Sequence, residues 1–137
     1  MWNCQSRVDT LDEEMVVEMK RAGLELVQLG VESGSERILA MYDKQTTVAD
    51  IERASAAVRN AGAYLSFYLM AGMEKERAAD IKKTVELIRR TLPGDGIVSP
   101  VALYPGTALY EAAKVRGEID DSLWFRTKEN GVFLRDN

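Results

Sequence analysis

The sequence predicts an α/β fold in which about four parallel strands are covered by helices. Predicted strands and helices alternate strictly along the chain, and this order favours a parallel sheet. The predicted strands are short apolar runs, as expected for strands that are buried on both faces. Two helix stops, Ala22-Gly23 and Ala61-Gly62, are each followed directly by such a run. The pattern fits either a small open sheet or an arc of a barrel.

The first predicted helix and strand follow a short N-terminal stretch. Thr10 and Glu13 have the spacing of a capping box, in which two side chains satisfy each other's backbone donors. Apolar residues then recur with helical spacing up to Ala22. Residues 24–31, LELVQLGV, are predicted to form a buried strand. Residues 1–9 resemble the middle of an element, so we expect the chain to be a piece of a larger domain.

The remaining units repeat this plan. Thr47 and Asp50 form a second predicted capping box, which opens a helix that ends at Asn60. In the helix after that, apolar residues at positions 81, 85, 88 and 92 are predicted to face the core. The further predicted elements are helices over 35–42, 77–91 and 107–116 and strands over 64–72 and 97–104.

The chain length and the absence of a long linker bear on the number of domains. With 137 residues, the chain is long enough for one domain with a hydrophobic core. We expect a single domain over 1–137, with the β/α units in 1–116 and a polar C-terminal tail in 117–137.

The composition excludes several kinds of site. The chain has no histidine, which excludes a His-based metal site and a Ser-His-Asp triad. Its single cysteine, Cys4, excludes an internal disulfide and a cysteine-ligated metal. Because the net charge is −4 and Lys and Arg do not cluster, no nucleic-acid-binding surface is predicted. No apolar run approaches the length of a membrane span, and we expect a cytoplasmic protein.

The carboxyl ends of the strands are the expected place for a ligand in a parallel α/β fold. Glu32 directly follows one strand, Ser33-Gly34-Ser35 precedes a helix, and Lys44 follows that helix. Backbone N–H groups at the helix start could face an anion, and a carboxylate beside a lysine would suit a zwitterionic ligand with sugar hydroxyls. In the alternative interpretation, Ser35 caps the helix while Glu32 and Lys44 lie on the surface. Spacing alone leaves both interpretations open.

Four motifs in a fitting order resemble those of the radical S-adenosylmethionine superfamily. They are RVD at 7–9, GVESGS at 30–35 with the later Lys44, AG at 71–72 and PGT at 105–107. The most similar branch is the one whose members often carry an N-terminal cobalamin-binding domain. The resemblance implies a partial TIM-type barrel of parallel β/α units that lacks its N-terminal strands. It also implies a parent enzyme whose 4Fe–4S cluster, held by a CxxxCxxC motif, cleaves S-adenosylmethionine to a 5′-deoxyadenosyl radical.

The resemblance implies roles for single residues. Glu32 matches a position that contacts the ribose hydroxyls of S-adenosylmethionine, and Lys44 matches one that pairs with its carboxylate. Tyr68 and Gly72 match the strand end near the ribose and adenine. Ser33 falls in the same cofactor-binding segment as Glu32.

The chain also departs from the superfamily pattern. The CxxxCxxC motif is absent, so we expect no cofactor to be bound by this chain alone, and no catalytic or metal-binding residue is predicted in it. At 72–77 the family's Gly, apolar residue, Pro, Gly, Glu and Thr are replaced by GMEKER, which loses the Pro-Gly turn. Arg7 and Asp9 match positions that face the barrel lumen and the substrate, with a role that varies within the family.

Three functions therefore remain open. In the first, the chain is an inactive fragment of a radical S-adenosylmethionine enzyme, and the parent acts on a small-molecule substrate with cobalamin as a possible further cofactor. In the second, it is a non-catalytic α/β module that binds a nucleoside-like ligand or forms a homodimer through exposed edge strands. In the third, it is a degenerate pseudoenzyme, as the altered GMEKER segment suggests.

Overall fold

A sheet of four parallel strands forms the centre of the fold in the computed structural model, which describes residues 1–128 and 131–134. The strands lie side by side in chain order, and each pairs in parallel with the next. The predicted α/β class is confirmed. The strands are β1 Trp2–Arg7, β2 Leu24–Glu32, β3 Tyr64–Ala71 and β4 Asp95–Pro100, and the helices between them are α1 Glu13–Arg21, α2 Glu36–Met41, α3 Val48–Asn60 and α4 Ala78–Thr91.

The chain forms two compact units, Met1–Val101 and Ala102–Asn137. The first contains the parallel sheet and α1 to α4. The described part of the second contains helix α5, which the sequence predicts, and an antiparallel pair of strands within 117–137, where the sequence predicts only a polar tail. The single domain over 1–137 stays a prediction. The elements of the second unit are α5 Ala108–Val115, a 3₁₀ turn at Asp121–Leu123, β5 Phe125–Lys128 and β6 Gly131–Leu134.

The alternation of side chains along each strand separates the core from the opposite face of the sheet. Val27, Leu29 and Val31 of β2 are buried and belong to the core beneath the helices. Gln28 and Gly30, between them, point to the other face, because successive residues of a strand point to opposite sides. The helices complete the core with buried apolar side chains, among them Val16, Ile51, Val58 and Leu87.

One of the two predicted capping boxes is correct. Helix α3 begins with a reciprocal bond between Thr47 and Asp50, as the spacing predicts. The box at Thr10 and Glu13 is wrong, because the helix begins two residues later than expected. Asp12 is the cap and accepts a hydrogen bond from the Met15 N–H, whereas the Thr10 hydroxyl donates to the carbonyl oxygen of Arg7.

The predicted inward stripe of α4 is also mostly wrong, because of its four residues only Ile88 packs against the core. Ile81, Val85 and Leu92 are 51%, 40% and 61% exposed. The helix is rotated by about one residue, so that Leu87 and polar residues face inward instead. These polar side chains can be buried because each has a hydrogen-bond partner, as Asp80 has in Ser35.

The last strand of the sheet is shorter than predicted at its C-terminal end. Residues 101–104 belong to the predicted strand, but β4 ends at Pro100, which pairs with the last residue of β3, Ala71. A strand needs a neighbour for its backbone groups, and β3 provides none beyond that point.

Among residues 1–128 and 131–134, none of the helices combines the length and the apolar composition that a membrane span requires.

Candidate functional site

Glu32 and Lys44 meet at the carboxyl end of β2. The Lys44 Nζ lies 2.6 Å from the Glu32 Oε1, and the two side chains are only 19% and 16% exposed. Glu32 has a φ of 62°, a left-handed conformation that side-chain-bearing residues seldom adopt. That strained backbone turns the carboxylate toward Lys44 at the sheet edge. The structure thus brings together two residues that are twelve positions apart in the chain.

Gly30 leaves the space that this ion pair occupies. A Cβ atom at Gly30 would lie 3.3 Å from the Glu32 Oε1 and 3.5 Å from the Lys44 Nζ. A side chain at this position would therefore press on the Glu32 carboxylate and touch the Lys44 ammonium group. The glycine in the predicted strand is explained by this close approach.

Arg7 and Asp9 extend the charged group on the side of β1. The Arg7 Nε and one terminal nitrogen donate to the two carboxylate oxygens of Asp9, over 2.9 and 2.7 Å. The same guanidinium donates a 3.4 Å hydrogen bond to the carbonyl oxygen of Lys44. The hydrogen bond from Arg7 lowers the pKa of Asp9 below its ordinary value. Both predicted substrate-facing residues thus lie beside the Glu32–Lys44 pair, but their charges neutralise each other.

Ser33 and its neighbours turn toward α4, away from the charged group formed by Arg7, Asp9, Glu32 and Lys44. The Gly34 N–H donates to the Thr84 hydroxyl over 2.9 Å, and the Ser35 N–H donates to the Ser33 hydroxyl over 3.1 Å. A Cβ atom at Gly34 would lie 2.6 Å from the Thr84 Cα, so the loop packs directly on the helix backbone. The backbone N–H groups expected to face an anion are therefore bonded within the protein. Ser33 is buried and apart from the charged group.

Asp80 fixes this loop to the start of α4. Its carboxylate accepts hydrogen bonds from the Ser35 hydroxyl at 2.7 Å, from the Arg37 guanidinium and from the Arg77 N–H at 3.0 Å. These hydrogen bonds hold the pKa of Asp80 well below its usual range, and the one from Arg37 has the largest effect. The Ser35 side chain does not cap α2, because it donates to Asp80 instead.

Tyr68 and Gly72 lie at the neighbouring strand β3. The Tyr68 hydroxyl accepts a 3.3 Å hydrogen bond from the Gln5 Nε2 on β1, so its side chain reaches across β2. Gly72 has a φ of 88°, which favours glycine, and its N–H donates to the Glu76 carboxylate over 2.7 Å. Tyr68 therefore joins Glu32 at one depression, while the Gly72 amide is occupied by Glu76.

The open depression on this face of the sheet has a volume of about 390 Å³. Gln5 and Gln28 take part in its lining, although the sequence analysis did not identify them. Their signal was present, because each is a polar residue on the opposite face from its apolar neighbours. The full lining is Gln5, Ser6, Arg7, Gln28, Gly30, Glu32 and Tyr68.

Tyr42 is a further residue that the sequence analysis missed. Its hydroxyl is buried and has no hydrogen-bond partner among the described residues. Burial, together with the negative charges of Glu76 and Glu32, raises the pKa of Tyr42 to about 12. The Tyr42 hydroxyl therefore keeps its proton at neutral pH and lies within the electrostatic influence of Glu32. A single tyrosine at a helix end gives no indication in the sequence that its hydroxyl is buried and unpaired.

The described residues do not form a metal site, and the chain lacks the thiolate ligands of an iron–sulfur cluster. Within residues 1–128 and 131–134, no group of three or more acidic, cysteine or histidine side chains lies close enough to hold a metal ion. A 4Fe–4S cluster bound by a CxxxCxxC motif needs three cysteine thiolates, and this chain has Cys4 alone.

Comparisons with known proteins agree with this fold. The family model of the Radical SAM superfamily matches residues 3–88. An uncharacterized methyltransferase of Pyrococcus horikoshii is 28% identical over 112 residues, which are 82% of this chain and 24% of that protein. The structure of archaeal Elp3 of Methanocaldococcus infernus, with an N-terminal deletion, has 28% identity and a TM-score of 0.73 over 85% of this chain and 28% of its own.

A third similar protein has the same fold at lower identity. The radical S-adenosylmethionine methyltransferase TsrM of Kitasatospora setae, with cobalamin and a 4Fe–4S cluster bound, has a TM-score of 0.75 and 18% identity. The match covers 93% of this chain and 26% of TsrM. The chain spans about a quarter of the length of these proteins. Its four strands correspond to part of a TIM-type barrel, as the resemblance implies.

Proposed function

This chain belongs to the Radical SAM superfamily, and from that premise we propose that it supplies one wall of an S-adenosylmethionine site in the barrel of a larger enzyme. The observation that carries the proposal is the Glu32–Lys44 pair, 2.6 Å apart and mostly shielded from solvent at the carboxyl edge of the sheet. Glu32 would accept hydrogen bonds from the ribose hydroxyls, and Lys44 would pair with the methionyl carboxylate. Tyr68 and the Gly72 segment would adjoin the ribose and adenine.

The chemistry of the parent enzyme requires residues outside these 137. A 4Fe–4S cluster, when bound, supplies the electron that cleaves S-adenosylmethionine to a 5′-deoxyadenosyl radical. Because the thiolate ligands are missing from this chain, we expect the chain alone to be inactive. The parent would act on a small-molecule substrate in the cytoplasm. Cobalamin is proposed as a further cofactor of the parent because TsrM contains it.

Ligand binding tests the assignment of Glu32 and Lys44. S-adenosylhomocysteine carries the ribose and carboxylate that the pair would recognise, and calorimetric titration measures its affinity for the full-length parent enzyme, because the chain alone is expected to bind no cofactor. We expect Lys44→Ala and Glu32→Gln each to weaken binding about tenfold, since each removes a charge-assisted bond worth about 1.5 kcal/mol. Lys20→Ala is the matched control, because it breaks an exposed ion pair between Lys20 of α1 and Glu25 of β2. Equal effects of the three variants would contradict the proposal.

The gene provides a separate test of the parent enzyme. A CxxxCxxC motif is expected within about 100 residues upstream, a typical distance for two β/α units. A reading frame that extends that far without the motif would rule out a radical S-adenosylmethionine parent.

A second candidate function is a non-catalytic interaction module that forms homodimers. It is favoured by β4, in which every residue is exposed. An uncovered edge strand is a template for pairing with another chain. The oligomeric state of the isolated chain distinguishes this candidate from the barrel wall.

A further inference from the structure

The face of the sheet that points away from the helices carries polar side chains. Gln5 of β1 pairs with Gln28 of β2, so the two amides lie side by side on this face. Two residues further along β2, on the same face, Gly30 pairs with Arg7 of β1 and with Tyr68 of β3. The interior of a TIM-type barrel is usually filled by bulky branched apolar residues. Here the corresponding positions border an open depression.

The two amides retain hydrogen-bonding capacity. The Gln5 Nε2 donates to the Tyr68 hydroxyl over 3.3 Å, and Gln28 makes no side-chain hydrogen bond within the described part of the chain. A primary amide offers two donors and an acceptor oxygen. A ligand that covers Gln28 without pairing with it would leave a polar group desolvated, at a cost of about 1–3 kcal/mol. A well-matched ligand must therefore present both a donor and an acceptor.

The charges around the depression cancel in pairs. Arg7 is bound by both oxygens of Asp9, and Lys44 is bound by Glu32. An anionic group placed beside Gln5 and Gln28 would meet no unpaired cation among the lining residues. It would lose hydration without gaining a counter-charge. The surface around Gln5 and Gln28 therefore disfavours anions, whereas Lys44, which is not among the lining residues, can still meet the cofactor carboxylate.

We propose that Gln5 and Gln28 bind an uncharged substrate group that carries an amide-type donor and acceptor, next to the S-adenosylmethionine wall. The inference rests on the proposed function for its location, and it adds the class of substrate. Both a carboxamide and the edge of a pyrimidine base present this chemistry. The two amides act as binding residues, and the paired charges exclude carboxylate-bearing analogues.

Matched neutral and anionic probes test the proposal on the full chain. N-acetylalaninamide is compared with N-acetylalanine, and uracil is compared with orotate, while NMR follows the side-chain amide signals of Gln5 and Gln28. We expect the neutral member of at least one pair to shift these signals saturably and to bind about tenfold more tightly than its anionic counterpart. The pair that responds distinguishes a carboxamide from a base.

Variants assign the binding to the two glutamines. Gln28→Leu and the more exposed Gln5→Met should each weaken the neutral probe about tenfold, the equivalent of about 1.4 kcal/mol. Asn60→Leu, at the exposed end of α3, is the matched control and should leave binding unchanged. Anionic probes that bind as tightly as neutral ones, or a neutral probe insensitive to both glutamine variants, would overturn the inference.

A parallel titration of the full-length parent enzyme with S-adenosylhomocysteine separates this inference from the proposed function. Its effect is read at the backbone signals of Gly30, Glu32 and Lys44. A response there without any response of the glutamines to the probes overturns the inference and leaves the proposed function standing. A glutamine response without a cofactor response overturns the proposed function and keeps the neutral binding site.

Discussion

Lys75 occupies a backbone conformation that suits glycine. Its φ is 66°, and the Glu76 N–H donates to the carbonyl oxygen of Met73 over 2.9 Å, which closes a turn around Glu74 and Lys75. The superfamily pattern that the chain resembles has Pro-Gly in this turn, with glycine at the position of Lys75. The turn therefore persists although its usual residues are absent, and the chain bears the strain of a left-handed lysine.

Replacing Lys75 by glycine should raise the free energy of unfolding by about 0.5–1 kcal/mol. Relief of the left-handed conformation contributes about 1–2 kcal/mol, and the greater entropy of unfolded glycine offsets about half of it. Urea unfolding followed by circular dichroism measures the change. Lys82→Gly makes the same substitution at an exposed position of α4 and should instead lower stability by about 1 kcal/mol. Destabilisation by both variants would show that Lys75 is unstrained.

The unpaired hydroxyl of Tyr42 gives a second prediction at this scale. Tyr42→Phe should preserve stability or raise it by up to about 1 kcal/mol, because it removes a buried polar atom that has no partner in the described structure. Tyr110→Phe is the matched control and should lower stability, because the Tyr110 hydroxyl donates to Asp121 over 2.8 Å. Thermal unfolding of the two variants tests the contrast, and a loss of stability in Tyr42→Phe would reveal a partner for that hydroxyl.

At the scale of elements, Asp80 joins α4 to the segment between β2 and α2. The donors from Ser35 and Arg37 come from one side of this junction, and the Arg77 N–H comes from the other. Because they lower the pKa of the folded carboxyl, the stabilisation is present above the unfolded pKa, which is near 4. It is lost as the pH falls through the folded pKa.

Asp80→Asn should therefore destabilise the protein at neutral pH and have less effect in acid. We expect the urea midpoint of the variant to lie clearly below that of the parent between pH 8 and about pH 5, and the gap to narrow below about pH 4. Glu14→Gln, at an exposed carboxylate of α1, is the control for a change of net charge. A gap that is constant down to acid pH would assign the effect to packing instead of to the carboxylate charge.

The same elements show what can be predicted from sequence. Alternation and helix stops predict the α/β class and all four parallel strands, because these signals depend on local spacing. The orientation of α4 is not predictable in this way, because Asp80 is buried through bonds to Ser35, a residue 45 positions away. Likewise, spacing places Glu32 and Lys44 at one edge, but only the tertiary structure shows that Ser33 turns toward α4.

At the scale of the whole molecule, the exposed edge strand and the incomplete barrel bear on self-association. Ile97 and Val98 of β4 are 52% and 62% exposed, an unusual surface for the end of a sheet. Apolar edge strands promote pairing between chains, and natural proteins cover or charge them. In a larger barrel the edge would be covered by further elements, so self-association should be a property of this chain on its own.

We therefore predict that the isolated chain, of 15.3 kDa, forms dimers as its concentration rises. Light scattering coupled to size exclusion should show a mass that increases toward twice the monomer value. Val98→Lys places a charge on the edge and should shift the equilibrium toward the monomer. Val115→Lys, at an 89% exposed position of α5, adds the same charge outside the parallel sheet and should leave the equilibrium unchanged. A stable monomer at high concentration would contradict edge pairing and would remove the support for the interaction module, whereas it would leave the proposed barrel wall intact.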